Sequence, residues 1–241
     1  SNNKLLKDLR CSYNNLTVLN LSANSILTSL ECYYNQITTL DVSNMLELQS
    51  LLCSGNQITD LDVTKNLYLY WFGCGGNKLT TLDVSQNKLL QYLECGQNQL
   101  TSLDVSNNTA LFDLNCYYNK LTSLDVSMLT GLTSLACSGN QLSSLNISKN
   151  PILNSIMCEN LTISTLDVSN NTALRELYCG NGQLTTLDVS QNQALTILYC
   201  QDNLLTYLNI KNGTNTQLTE VSFINNPNLN CIQVDDVTYS N

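Results

Sequence analysis

The sequence predicts a solenoid whose 21-residue coils are mainly β. A cysteine recurs ten times at a strict interval of 21 residues. An apolar residue stands two positions before each cysteine and another stands five positions after it. A fixed period of this length is typical of solenoids, in which each unit buries its apolar edge only against its neighbours. The ten cysteines are Cys11, Cys32, Cys53, Cys74, Cys95, Cys116, Cys137, Cys158, Cys179 and Cys200.

Each coil contains two similar halves with the alternation of a strand that is buried on one face. Leu93-x-Cys95 and Leu103-x-Val105 are one such pair. A return helix needs about ten residues or more, and the length left after one strand and two corners does not supply them. We therefore predict extended segments on both sides of each coil and little or no helix. Similar spacing of about 4.8 Å on both sides predicts weak curvature.

The cysteines are predicted to form a column of thiols inside the core. Each follows an inward leucine by two residues, and a buried thiol acts as a small apolar filler. A disulfide framework, metal ligation and a nucleophile are the alternatives. Side chains stacked in parallel do not offer disulfide geometry, there is no C-x-x-C pair, and the chain has no histidine. We expect no metal and no cofactor, and Cys231 lies outside the column.

Three polar columns accompany the thiols. An asparagine three residues after the cysteine is predicted to bind backbone groups of a neighbouring coil. A row of aspartates before the return-strand valine suggests calcium, but corner aspartates more often bind local backbone. A threonine or serine column, which includes Thr80 and Thr101, matches exposed strand positions and leaves ice binding as a remote alternative. The aspartates are Asp41, Asp62, Asp83, Asp104, Asp125, Asp167 and Asp188.

Composition and charge exclude several functional classes. The net charge is −9, which disfavours a nucleic-acid partner. No apolar run reaches the roughly 20 residues of a membrane span, so we expect no membrane insertion. The chain lacks histidine and a nucleophile elbow, and its carboxylates lie in rows rather than converging. These features predict a protein that is not an enzyme.

The repeat L-x-x-L-x-C-x-x-N-x-L-T-x-L-D-V-S-x-N-x-x resembles a leucine-rich repeat. The 21-residue variant with a core cysteine is similar to internalin J and to surface leucine-rich repeat proteins of Bacteroidetes. The resemblance covers about Leu5 to Leu229. We therefore predict a right-handed leucine-rich repeat solenoid over residues 1–229, with ten 21-residue coils and a final partial coil. Residues 230–241 resemble the C-terminal flank of secreted Bacteroidetes repeat proteins and are predicted to begin a cap.

In leucine-rich repeats the outward positions of the front strand carry recognition, and the resemblance implies the same here. Exposed tyrosine and tryptophan are typical interface anchors, although cross-strand stacking that only stabilises the sheet is the alternative. Gly73, Gly75, Gly76 and Gly96 are predicted to leave a shallow trough beside them. The candidate ligand-binding residues are Tyr33, Tyr34, Trp71, Tyr92, Glu94, Asp113, Tyr117, Tyr118, Tyr178 and Tyr199.

The resemblance implies a non-catalytic bacterial binding module that is secreted or displayed at the cell surface. Its partner would be a protein on another cell or in the matrix, bound in recognition or adhesion through the front β-face. A glycan-binding module is the alternative, because exposed Tyr and Trp beside Asp, Glu and Asn also suit sugars. The sequence leaves the ligand's identity and the oligomeric state open.

Overall fold

A computed structural model describes residues 3–236. The chain divides into two compact units, Ser1–Leu121 and Thr122–Asn241. The regular elements of the described residues are short strands of three residues each and one 3-10 helix. Parts of the two predicted segments, residues 1–2 and 237–241, lie outside the described residues.

The first unit is a parallel sheet in which each strand pairs with its equivalent 21 residues further on. Leu51 lies opposite Phe72, for example, and Phe72 lies opposite Leu93. Chain order and sheet order therefore coincide. The strands are β1 (Asp8–Arg10), β2 (Ser29–Glu31), β3 (Ser50–Leu52), β4 (Trp71–Gly73), β5 (Tyr92–Glu94) and β6 (Asp113–Asn115).

The second unit has parallel strands on both sides of its coils. Its front strands are β7 (Ser134–Ala136), β8 (Ser155–Met157), β9 (Glu176–Tyr178), β11 (Ile197–Tyr199) and β13 (Glu220–Ser222). The return strands are β10 (Thr186–Asp188), β12 (Tyr207–Asn209) and β14 (Cys231–Gln233). Ile197 pairs with Glu220, two residues beyond the usual interval, and the 3-10 helix Asn215–Gln217 lies in the lengthened segment.

The prediction of a mainly β solenoid with almost no helix is confirmed. Its return side is less regular than its front, and N–H groups at the return corners bond within their own coil. In one coil of the first unit, the Ser43 N–H donates to Asp41 Oδ1 and the Met45 N–H donates to the Val42 carbonyl. A bond made inside the coil leaves that N–H unavailable for a ladder with the next coil. The coil that carries β10 makes the same kind of corner bonds, so these bonds alone do not determine where return strands form. In that coil the Val189 N–H also donates to the Asn209 carbonyl of the next coil.

The cysteines form the predicted column. Those of the first unit from Cys32 onward are buried, as are Cys137, Cys158, Cys179 and Cys200 in the second unit. Cys11 in the first coil is partly exposed and Cys231 is exposed. All eleven thiols are free. Phe72 is the largest fully buried side chain and takes the place of a column leucine.

The predicted asparagine ladder joins successive coils. Asn77 Nδ2 donates to the carbonyl oxygens of Cys53 at 3.1 Å and Cys74 at 2.9 Å. Its Oδ1 accepts from the Ile58 N–H at 3.0 Å. One amide therefore satisfies backbone groups of its own coil and of the preceding one, at the point where the chain leaves the strand. Asn35, Asn56, Asn98 and Asn203 repeat this pattern.

A second asparagine ladder lies at the return corner and is only half satisfied. Asn108 Nδ2 donates to the carbonyl oxygens of Val84 and Asn87, both at 2.9 Å. Its Oδ1 is buried and has no hydrogen-bond partner. Amides of the first ladder therefore both donate and accept hydrogen bonds, whereas amides of the second ladder only donate them. The other members are Asn66, Asn87, Asn150, Asn171 and Asn192.

Alkaline pH is expected to destabilise the fold through the cysteine column. Burial raises the pKa of the Cys32, Cys137 and Cys200 thiols from 9.0 to about 12. The folded chain then keeps protons that the unfolded chain releases. The stabilisation that the protonated thiols contribute to the fold is therefore full below pH 9 and is lost as pH rises toward 12. Each thiol contributes a fall of up to about 1.4 kcal/mol per pH unit in the free energy of unfolding. Urea unfolding at several pH values between 8 and 10 measures this fall in the free energy of unfolding.

Cys137→Ala is the control, because it removes one titrating thiol and should make the pH dependence shallower. A free energy of unfolding that stays constant from pH 8 to 10 would contradict the buried column.

The two asparagine ladders predict unequal costs of truncation. Asn98→Ala removes the acceptor of the buried Leu79 N–H and the donor to three carbonyls. Asn108→Ala removes two donated bonds but also eliminates an unsatisfied buried oxygen. We expect Asn98→Ala to destabilise by about 1 kcal/mol more than Asn108→Ala. Urea denaturation of the two variants side by side decides this, and equal losses would refute the distinction.

Candidate functional site: the aromatic front of the first unit

Trp71 and Tyr92 form a stacked pair on neighbouring front strands. They are register partners on β4 and β5. Their ring centroids are 4.3 Å apart and the ring planes differ by 8°. Both side chains are half-exposed, so the pair is a flat aromatic surface on the outside of the sheet.

Two further exposed aromatic residues stand next to these strands and were not among the predicted site residues, and one of them, Phe112, contacts the pair. Tyr70 is 39% exposed and Phe112 is 38% exposed. The Phe112 ring centroid is 6.5 Å from that of Trp71. Both stand four residues before a column cysteine, just outside the strand. Aligning that position across the coils would have shown them, because polar residues such as Gln49 and Gln91 occupy it in neighbouring coils.

Tyrosines form two more clusters on the first unit. Tyr117 and Tyr118 make an edge-to-face pair with ring centroids 5.5 Å apart. Tyr13 stacks on Tyr34 at 5.0 Å and meets Tyr33 edge-on at 5.3 Å. These separations suit favourable aromatic contacts, so the rings also stabilise one another.

The predicted trough above the glycines is wrong at Gly75 and Gly96, because neighbouring side chains occupy that space. A Cβ built on Gly75 would lie 1.8 Å from Glu94 Oε1. A Cβ built on Gly96 would lie 2.4 Å from the Tyr117 ring. Side chains of the following coil thus lean across each glycine. The glycines create room for a carboxylate and a ring rather than an open groove.

Glu94 is anchored in this space by two hydrogen bonds to earlier coils. Its Oε2 accepts from Ser54 Oγ at 2.8 Å and from the Gly75 N–H at 3.0 Å. The carboxylate therefore spans three coils, with its chain on β5 and its donors beside β3 and β4. Such a contact depends on the missing side chain of Gly75, and no single-coil pattern reveals it.

Nearby phenols are affected by this carboxylate. Burial, followed by the negative charges of Glu94 and Asp113, raises the pKa of Tyr92 from 10.0 to about 12. Burial and then Glu94 raise the pKa of Tyr117 as well. Both hydroxyls stay protonated at physiological pH and can donate hydrogen bonds.

The remaining predicted residues, Tyr178 and Tyr199, belong to the second unit. Their rings stack at 5.4 Å with planes 18° apart. Tyr199 Oη donates to Glu220 Oε2 at 2.6 Å. They form a smaller aromatic pair of their own.

The aspartate row binds the local backbone, as interpreted from the sequence. Oδ1 of Asp62 accepts from the Thr64 N–H at 2.9 Å and from Thr64 Oγ1 at 2.6 Å. These bonds lower the pKa of Asp62. Asn146 takes the same corner position in another coil and accepts from the Ser148 N–H at 3.1 Å. A neutral amide oxygen can therefore accept the corner hydrogen bond that a carboxylate accepts in the other coils.

Two other kinds of site, a metal centre and a membrane-spanning helix, are absent from the described part of the chain. No three or more His, Cys, Asp or Glu side chains there are grouped so that they could hold a metal ion. No helix among residues 3–236 has the length and apolarity that crossing a bilayer requires.

Comparison with known proteins places these features in a structural context. No family model matches the chain, and no curated protein matches it. The functional domain of InlJ from Listeria monocytogenes, which includes a cysteine ladder, is 31% identical over 96% of this chain, with a TM-score of 0.70. The chain is a leucine-rich repeat solenoid with a cysteine ladder. It spans 60% of the length of that InlJ structure.

Two further solved structures share the leucine-rich repeat fold. An internalin, InlF, from Listeria monocytogenes superposes with a TM-score of 0.82 at 22% identity, covering 97% of this chain and 77% of its own. The leucine-rich repeat ectodomain of the plant receptor kinase GASSHO1/SCHENGEN3 from Arabidopsis thaliana has a TM-score of 0.66 at 20% identity, covering 89% and 33%. That ectodomain was solved in complex with CASPARIAN STRIP INTEGRITY FACTOR 2.

One position of this leucine-rich repeat combines exposed aromatics with an unfavourable backbone. The residue two positions after each column cysteine has a positive φ, for example 61° at Gly76 and 54° at Asn160. Glycine and asparagine adopt this left-handed conformation easily, but tyrosine does not. Tyr34 nevertheless has φ 52° and Tyr118 has φ 47°, and their side chains are 57% and 53% exposed. Two exposed rings therefore stand on a left-handed backbone that glycine or asparagine provides in other coils.

The strain at Tyr118 predicts an inverted preference between glycine and alanine. Tyr118→Gly should be about 1 kcal/mol more stable than Tyr118→Ala, because only alanine keeps a Cβ at positive φ. At Tyr92, inside a strand, the same pair should rank oppositely, with glycine less stable by about 0.5–1 kcal/mol. Chemical denaturation of the four variants measures both differences. If alanine were more stable than glycine at Tyr118 as well as at Tyr92, Tyr118 would carry no backbone strain.

Proposed function

We propose that the chain is a non-catalytic binding module that recognises a protein partner through the aromatic front of its first unit. The stacked pair of Trp71 and Tyr92, half-exposed on the outer face of the sheet, is the observation that carries this proposal. Large rigid rings supply contact area at low entropic cost, and they dominate binding energy at protein interfaces. Tyr118 adds an exposed ring that is held against backbone strain.

The comparisons support this proposal at the level of the fold. The GASSHO1/SCHENGEN3 ectodomain, which shares the fold, was solved in complex with CASPARIAN STRIP INTEGRITY FACTOR 2. InlJ and InlF, both from Listeria monocytogenes, are two bacterial structures that share the fold. We further propose that the module acts at the bacterial cell surface or outside the cell, in recognition or adhesion.

A glycan is the second candidate ligand, and one observation favours it. Trp71 and Tyr92 present a flat stacked surface within the same face as the Glu94 carboxylate. Aromatic platforms beside hydrogen-bonding groups also suit sugar rings. A glycan array distinguishes the two candidates, because a glycan ligand would bind the module there although no partner protein is present.

Trp71→Ala combined with Tyr118→Ala is expected to abolish partner capture and leave the fold intact. Both side chains lie on the outer face, so their truncation removes interface anchors without opening a core cavity. A pull-down from host and bacterial surface extracts, with a glycan array in parallel, compares the variant with wild type. The circular dichroism spectrum and the urea midpoint check the fold.

Thr80→Ala combined with Thr101→Ala is the matched control. These residues are exposed outside the front strands, and their truncation should leave capture unchanged. Full capture by the Trp71 and Tyr118 double variant would remove this face from consideration. The rings would then be sheet-stabilising pairs.

A further inference from the structure

The Glu94 carboxylate has an unusual setting for a surface acid. The side chain is half-buried, and its two hydrogen bonds, from Ser54 and the Gly75 N–H, both reach Oε2. Oε1 receives no hydrogen bond from residues 3–236, although it lies directly over Gly75. One oxygen thus fixes the carboxylate and the other remains available to a ligand.

No cation of the described chain forms an ion pair with Glu94. The ion pairs found among residues 3–236 involve Arg10, which binds Asp8 at 3.2 Å and Glu31 at 3.5 Å. The lysines of the surrounding coils point to other partners, since Lys78 Nζ donates to Gln57 and Lys120 Nζ donates to Gln99. The carboxylate therefore has hydrogen-bond donors but no cationic partner among residues 3–236, and a cation supplied by a ligand would pair with it favourably.

Aromatic rings flank the carboxylate on the same face. Tyr92 stands two residues before Glu94 on β5, and side chains two apart on a strand share a face. Tyr117 belongs to the following coil, and its ring lies over Gly96, two residues after Glu94. The pKa of each tyrosine is raised in part by the charge of Glu94, which places both phenols in its field. Rings beside an unpaired carboxylate suit a flat cation, which can stack and form an ion pair at once.

We propose, on the basis of the protein-binding function above, that the partner presents an arginine side chain to Glu94. Its guanidinium donates to Glu94 Oε1 and packs against the rings of Tyr92 and Tyr117. Arginine suits this site better than lysine because its planar head stacks on aromatic faces and is less strongly hydrated. The partner surface is therefore basic at its centre.

A short acetylated peptide with three arginines is the probe, and the same peptide with citrulline, its neutral analogue, is the ligand control. Trp71 is the only tryptophan of the chain, so its fluorescence reports binding at this face. The arginine peptide should give a saturable change that the citrulline peptide does not. Glu94→Gln should raise the dissociation constant about tenfold, because a charge-assisted hydrogen bond is lost. The glutamine carbonyl can still accept from Ser54 and Gly75.

Asp83→Asn is the control for net charge, since it removes one negative charge from the corner row. Asparagine already occupies that corner at Asn146 with the same bond, so the substitution should leave the fold unchanged. It should change the dissociation constant less than twofold. Equal weakening by Asp83→Asn and Glu94→Gln, or equal binding of the two peptides, would overturn the arginine assignment.

Gly75→Ala tests the same site without changing any charge. Its Cβ would occupy the position of Glu94 Oε1, and the flexible carboxylate would have to move away. Weakened binding of the arginine peptide is expected, while wild-type affinity would show that the position of the carboxylate does not matter.

The pull-down separates this inference from the proposed function. A partner that is lost with the Trp71 and Tyr118 double variant but fully captured by Glu94→Gln would leave the binding face established and remove arginine from it. A partner that both variants capture fully would remove the binding face itself.

Discussion

The fixed 21-residue offset between hydrogen-bonded coils is the constraint on which each unit depends. The N–H of a column cysteine donates to the residue one coil ahead, as Cys53 does to Gly73 at 2.8 Å. The asparagine three residues later binds the coil behind. With both neighbours held in register, each side chain meets its own equivalents above and below. Leucines pack on leucines, thiols on thiols and amides on amides, so the properties of a column matter more than those of a coil.

This constraint explains why the candidate site arises where the front columns become irregular. Glycines at successive coils remove side chains from the stack, and the neighbours respond by leaning across the gap. Glu94 reaches donors beside two earlier strands in this way, and Tyr117 covers Gly96. A site thus forms from a local loss of bulk, while the backbone beneath it repeats without change.

The columns could be predicted from the sequence because their spacing alone determines which residues share a face. The inward cysteines, the asparagine ladder and the outward position of Trp71 all follow from that spacing. The lean of Glu94 toward Ser54 could not, because it depends on space that opens only when three coils are stacked. Tyr70 and Phe112 were missed because they precede the strand, where alternation no longer applies. The unsatisfied Oδ1 atoms of the second ladder likewise depend on the local path of each corner.

The buried thiols also determine how such a solenoid ages in an oxidising medium. Thiolate is the species that oxidants attack, and burial keeps the column protonated and covered. A coil that opens briefly exposes a thiol together with its neighbour in the next coil. Oxidation in that state adds oxygen or a crosslink that the tightly stacked column has no room or geometry to accept. The coil then cannot close, and the coils beside it lose a packing partner. Where oxidation is faster than reclosing, durability is set by the rate of opening rather than by the equilibrium stability, and an oxidised coil stays open until its thiol is reduced again.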